Sequence, residues 1–187
     1  MKEIFIDIER CTACKSCEIA CAVEHSLSKD LFSAIFENPL PIKRVYVEKA
    51  FLFSYPVKCM HCADAACIAA CPTGAMHRNH EFGSVVVNND KCMGCWMCAM
   101  VCPFGAIIPD YAVKTARKCD FCPDRLKEGG KPACVEACPT STITFGEMKD
   151  LFKSKRLLSA ERVVKAVLVQ EDKKVTPLEM LRSIENI

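Results

Sequence analysis

Aromatic residues are scarce in this 187-residue chain, 7% of the total with a single tryptophan. The core that its 51% apolar content permits is therefore spread over small units. No run of 18 or more apolar residues occurs, which excludes a spanning helix. The most apolar stretch, CWMCAMVCPFGAII, is short and interrupted by Pro103 and Gly105. The N-terminus, MKEIFIDIERC, has neither an apolar h-region nor a small-residue cleavage site, so a cytoplasmic chain with reduced thiols is expected. No nucleophile and base stand at a spacing that suggests catalysis, and the basic residues do not argue for a nucleic-acid partner.

What the chain has in excess is cysteine, sixteen of them with none left over from four groups. Cys92, Cys95, Cys98 and Cys102 lie in KCMGCWMCAMVCP, a C-x2-C-x2-C-x3-C-P run. Cys11, Cys14, Cys17 and Cys21 form a second copy. Cys59, Cys62, Cys67 and Cys71 form a third, with two extra residues before its third cysteine. Cys119, Cys122, Cys134 and Cys138 form the last, where the insertion PDRLKEGGKPA has grown into a loop. The run resembles that of bacterial ferredoxins, in which three thiolates of one loop hold one cubane and the fourth ligates its neighbour.

Two other uses of cysteine compete with this reading. A disulfide framework has no reason to count in fours at these spacings, and reduced cytoplasmic thiols disfavour it. Structural zinc, making the chain a zinc-stabilised scaffold, suits paired C-x2-C knuckles but does not call for a third cysteine followed by C-x3-C-P. Four 4Fe-4S clusters are expected. The formal charge of +2 counts cysteines as neutral; sixteen thiolates and four oxidised cores bring the loaded protein to about −6. A basic residue precedes the first cysteine of every group, Arg10, Lys58, Lys91 and Lys118. These either tune the clusters or are ordinary solvated cations.

In chain order, Ile4, Ile6 and Ile8 alternate as a short strand. Cys21 is followed by Ala22 rather than proline, so its helix is expected to continue over 22–38, with Leu27, Leu31, Phe32, Ile35 and Phe36 as a packing face. Val45 to Phe53 reads as one extended segment. HRNHEFGSVVVNND gives a turn, a strand and a turn, and CPTGAM, CPFGAI and CPTSTI each end a helix and open a short strand. The second and third groups are sequence neighbours, so residues 58–105 form an inner dicluster unit. By elimination the first and fourth groups pair, and 1–57 with 106–146 form an outer unit around it.

The fold class is thus α+β, two intertwined ferredoxin-like dicluster units with a partly helical extension over 147–187. In that extension Met148, Leu151, Phe152 and Leu158 share a helix face that is expected to pack on the chain's own core. SAERVVKAVLV reads equally as helix or strand, and TPLEMLRSI carries a capping box at Thr176, Pro177 and Glu179 that opens a last helix expected to dock on a partner. Ligands should cross within each unit. Cys59, Cys62 and Cys67 take Cys102, and Cys92, Cys95 and Cys98 take Cys71. Cys11, Cys14 and Cys17 take Cys138, and Cys119, Cys122 and Cys134 take Cys21. His61 could donate to a sulfide, His25, His77 and His80 read as surface or packing residues, and Trp96 and Phe121 could shield a cluster.

Over Lys2 to Phe145 the four groups, in this order and with the long spacer in the fourth, resemble the four-cluster subunits of dimethyl sulfoxide reductases, formate dehydrogenases and formate hydrogenlyase. CTACKSCEIACAVEHSLSKDL, RVYVE, CMGCWMCAMVCPFGAI and KCDFCPDRL are most similar to the iron-sulfur subunit associated with carbon monoxide dehydrogenase. That resemblance implies an electron wire with no turnover of its own. Carbon monoxide dehydrogenase would be its donor, and a flavin-containing oxidoreductase or hydrogenase its acceptor. The alternative is a subunit of a formate-oxidising or molybdopterin oxidoreductase.

Overall fold

The computed structural model describes residues 2–172. Its first strand, β1 (Lys2–Ile6), buries Ile4 and pairs with the last, β8 (Ile143–Glu147). The Asp7 N–H continues the pairing to the Thr142 carbonyl at 2.8 Å. Ile8 does not extend the alternation: it opens a 3-10 turn, Ile8–Arg10, and is 42% exposed. That turn bends the chain into the first cysteine loop.

One small unit recurs four times. In α3 (Ala66–Ala69), α4 (Met97–Met100) and α6 (Ala133–Glu136) the third cysteine of a group is the second helical residue, and the fourth follows the C-cap. The helix therefore begins one residue before the third cysteine. Proline after the fourth cysteine stops it there. α1 (Ser16–Glu24) starts the same way, with Cys17 second, but lacks that proline and runs on past Cys21.

The expected helix over 22–38 does not form. α1 stops at Glu24, and only a four-residue turn, α2 (Leu31–Ala34), follows. The intervening SLSKD satisfies backbone groups with side chains instead: Ser26 Oγ donates to the Val23 carbonyl at 2.6 Å and accepts from Lys29 N–H at 2.9 Å. Glu37 accepts from the N–H groups of Leu27 and Ser28 at 3.1 and 2.8 Å, and Asp30 caps α2. The i+4 apolar residues consequently form no packing face; Leu27 and Phe36 are 92% and 84% exposed.

Val45 to Phe53 is likewise not one extended segment. β2 (Val45–Ala50) folds back on β3 (Phe53–Lys58), antiparallel from Val45↔Lys58 to Ala50↔Phe53. Phe51 takes the left-handed conformation at the tip. β4 (Met76–Arg78) pairs with β5 (Val85–Val87), and β6 (Ile108–Asp110) with β7 (Thr115–Arg117), each after a C-P ending. The insertion of the fourth group contains a short helix, α5 (Pro123–Lys127).

Among the described residues apolar packing falls into two cores. One joins Ile4, Cys17, Cys21, Val45, Phe121, Cys134 and Ile143. The other joins Ala65, Met76, Val85, Cys98, Ile107 and Ala116. Ile107 and Ala116 thus pack with the second and third cysteine groups, beyond the expected boundary at 105. Residues up to Gly146 form one compact unit, and Glu147 opens another. There α7 (Met148–Asp172) is a single helix through SAERVVKAVLV. Of the expected packing face only Leu151 is half-buried; Phe152 and Leu158 are exposed. The capping box at Thr176 lies outside the described residues. Among the described residues no helix is long and apolar enough to cross a membrane.

Candidate metal centres

Each cysteine loop is shaped by left-handed backbone. The second residue after the first cysteine has positive φ in all four groups: Ala13 at 57°, His61 at 47°, Gly94 at 69° and Phe121 at 72°. Successive N–H groups turned this way make an anion-binding concavity, and the strain of the non-glycine positions is held by the surrounding loop. At Gly94 the sequence itself signals the turn. A Cβ there would also stand 2.6 Å from the Lys114 carbonyl oxygen, an impossible approach. Gly94→Ala is expected to destabilise the loop by about 2–3 kcal/mol and to lower iron content. Iron analysis beside thermal melting checks this, and an unchanged loading and melting point would contradict it.

The four cysteines that converge come from two groups in every case. Cys59, Cys62, Cys67 and Cys102 line one cavity with Ala65 and Ile107. Cys71, Cys92, Cys95 and Cys98 line a second, beside Trp96. Cys11, Cys14, Cys17 and Cys138 line a third. Cys119, Cys122 and Cys134 act electrostatically on one another and on Cys21, which makes a fourth set.

Burial pushes the thiols up, to about 11 for Cys17 and Cys98 and to about 12 for Cys21. Cys122 and Cys134 rise well above the ordinary thiol range for the same reason, and neighbouring cysteines add to each shift. Four mutually repelling thiolates can coexist in such a place only around a cation. At Cys71 and Cys138 burial is overcome by donors. Met76 N–H lies 3.4 Å from the Cys71 sulfur, and the Thr73 and Thr140 hydroxyls lie 3.7 Å from Cys71 and Cys138. The CPT endings carry those hydroxyls; CPF at Cys102 cannot.

The spacing of the sulfurs bears on which metal fits. Tetrahedral zinc with bonds of about 2.3 Å draws its sulfurs to about 3.8 Å of one another. Among the described residues no three cysteine sulfurs all lie within even 4.8 Å of one another. A multi-atom core suits these cavities better than one ion. His25, Asp120 and Cys122 do approach that closely, but Asp120 is already engaged. It pairs with Arg44, lies 3.2 Å from His25 Nε2 and accepts from Cys122 N–H at 2.9 Å. These contacts outweigh burial and hold its carboxyl far below the usual range. Arg44 N–H donates to the Cys21 sulfur at 3.2 Å.

His61 is not a surface group. It is 4% exposed, and burial, then Lys118 and Lys58, push its pKa down to about 2. Nδ1 accepts from Val85 N–H at 2.9 Å, which puts the ring proton on Nε2. That buried atom has no protein partner, as expected of a donor to an acceptor that the chain does not itself supply. Asp120, Arg44, Thr73, Thr140 and the burial of Lys58 and Lys118 were not legible in the sequence. Trp96 packs edge-on against Tyr111 at 5.5 Å.

Cysteine quartets of this shape on a chain of two-stranded sheets and one-turn helices define an iron-sulfur protein of the ferredoxin class. Residues 50–148 match the 4Fe-4S dicluster domain and residues 8–24 a 4Fe-4S binding domain. The B component of the anaerobic dimethyl sulfoxide reductase of Escherichia coli (strain K12) is 41% identical over 163 residues, 83% of this chain and 78% of that protein. An iron-sulfur protein of Rhodospirillum rubrum is 41% identical over 158 residues, 78% of this chain and 82% of that protein. The B component of the tetrathionate reductase of Salmonella typhimurium is 34% identical over 147 residues, 79% of this chain and 58% of that protein. The chain belongs to the 4Fe-4S dicluster family, and is an electron-transfer iron-sulfur subunit rather than an enzyme in its own right. These matches support a reductase subunit better than the expected carbon monoxide dehydrogenase partner.

Proposed function

We propose that this chain carries single electrons to or from the catalytic subunit of a molybdopterin oxidoreductase of the dimethyl sulfoxide or tetrathionate reductase type. When bound, each 4Fe-4S cluster accepts and releases one electron at a time. The chain's own residues hold four of them as crossed pairs. Cys59, Cys62, Cys67 and Cys102 hold one, and Cys71, Cys92, Cys95 and Cys98 its neighbour. Cys11, Cys14, Cys17 and Cys138 hold the third, and Cys21, Cys119, Cys122 and Cys134 the fourth. Residues 58–117 make the inner unit, and 1–57 with 118–146 the outer.

The observation that carries this reading is the convergence of three thiols of one group with the fourth thiol of its partner group. Anaerobically purified protein should contain about sixteen irons and sixteen sulfides; stoichiometric zinc without sulfide would overturn it. Partner choice is read separately. The dithionite-reduced chain should be re-oxidised by dimethyl sulfoxide or tetrathionate only when the corresponding reductase catalytic subunit is present. Rapid reduction by carbon monoxide and its dehydrogenase, with no response to either reductase, would return the donor to carbon monoxide dehydrogenase.

A further inference from the structure

The second and fourth cysteine groups open alike, Lys58-Cys59-Met60-His61-Cys62 and Lys118-Cys119-Asp120-Phe121-Cys122. The corresponding Arg10 and Lys91 of the other groups are exposed, whereas Lys58 and Lys118 are 4% and 3% exposed. The two loops face each other, because the His61 and Phe121 rings meet at 3.8 Å between centroids. Lys58 Nζ donates to the Cys59 carbonyl at 3.1 Å and stands 5.9 Å from the Phe121 ring centroid. Lys118 Nζ donates to the Cys119 carbonyl at 2.7 Å and to the carbonyl of Val85, whose N–H is held by His61. Each ammonium thus reaches from its own loop to the other unit.

Neither has a carboxylate partner among the described residues. A buried charge without a counter-ion is unfavourable, so these two cations need negative charge close by. The geometry shows where it lies. Each Nζ is anchored on the carbonyl of the first cysteine of its own group, Cys59 or Cys119, and Lys58 also stands over the ring of Phe121, which lies between Cys119 and Cys122. The Arg10 and Lys91 that precede Cys11 and Cys92 are exposed and bring no such buried charge. Asp120, the acid in this region, is paired with Arg44.

Resting on the four-cluster reading, we propose that Lys58 and Lys118 are potential-setting residues. They make the two clusters that flank them, held by Cys59, Cys62, Cys67 and Cys102 and by Cys21, Cys119, Cys122 and Cys134, easier to reduce than the other two. Reduction adds one electron from the partner, or from dithionite in the assay, to one cluster and leaves it more negative. Buried positive charge favours that state.

The test is a dithionite titration of the full, loaded chain followed by electron paramagnetic resonance. Lys58→Gln and Lys118→Gln should each lower the reduced-to-oxidised ratio of the two flanking clusters at least tenfold at a fixed potential, about 59 mV for one electron. The other two should change less than threefold, and Lys58→Arg and Lys118→Arg should restore the ratios. Equal shifts in all four, or none, with iron still at sixteen, overturn the proposal and leave the four-cluster reading standing. Iron short of sixteen in the unsubstituted chain overturns that reading instead. Should the glutamine variants lose iron, the unsubstituted chain decides: its first-reduced signals should be those altered by Cys67→Ser and Cys134→Ser. If they are those altered by Cys17→Ser and Cys98→Ser, the proposal is wrong.

Discussion

Cys21→Ser is expected to disturb the same cluster signal as Cys122→Ser, and a different one from Cys14→Ser, with loaded iron falling from about sixteen to about twelve per chain in each variant. The reason lies in α1. Cys17 and Cys21 stand one helical turn apart, yet they face different cysteines. Cys17 senses Cys14 and Cys138, whereas Cys21 senses Cys119 and is sensed by Cys122 and Cys134. Arg44 N–H at the Cys21 sulfur and the His25 ring at the Cys21 carbonyl fix that side chain in the second environment. Iron content together with paramagnetic resonance of the three variants checks the expectation. A Cys21→Ser signal change coinciding with that of Cys14→Ser would mean local ligation and sink the crossed arrangement.

The second large effect is collapse on metal removal. Oxidative destruction of the clusters with a chelator should abolish the cooperative melting of the unit ending at Gly146, a loss on the order of 10 kcal/mol or more. Among the described residues all four sheets have only two strands, and three of the cysteine helices have only four residues. Neither kind of element is stable alone in water. The two apolar cores are themselves partly cysteine, through Cys17, Cys21, Cys134 and Cys98, so removing the metal removes the charge balance those side chains require. Calorimetry and circular dichroism of loaded and stripped protein decide the matter; a stripped chain that melts at an unchanged temperature would contradict it.

The sequence was most informative where covalent and metal chemistry demand a spacing. The four groups, the proline that ends each of three helices and the short strands after them could all be read directly, since each depends on one or two residues. The β2–β3 hairpin could not, because Ala50-Phe51-Leu52-Phe53 contains no glycine, asparagine or proline to announce a turn. The 22–38 region misled for the opposite reason. Its i+4 apolar spacing is genuine, but Ser26, Asp30 and Glu37 offer the backbone better local partners than another helical turn would. The burial of Lys58 and Lys118 depends on two loops sixty residues apart meeting face to face, which no local pattern encodes.

The pairing of β1 with β8 also sets a timetable for the nascent chain. Lys2–Ile6 leaves the ribosome before its partner Ile143–Glu147, which is made roughly 140 residues later, on the order of ten seconds at ordinary elongation rates. Under crossed ligation, Cys102 completes the inner thiol sets while Cys11, Cys14 and Cys17 still await Cys138. On that ligation the inner sets are complete in the nascent chain before the outer ones, and Cys11, Cys14 and Cys17 wait longest for the thiol that closes their set.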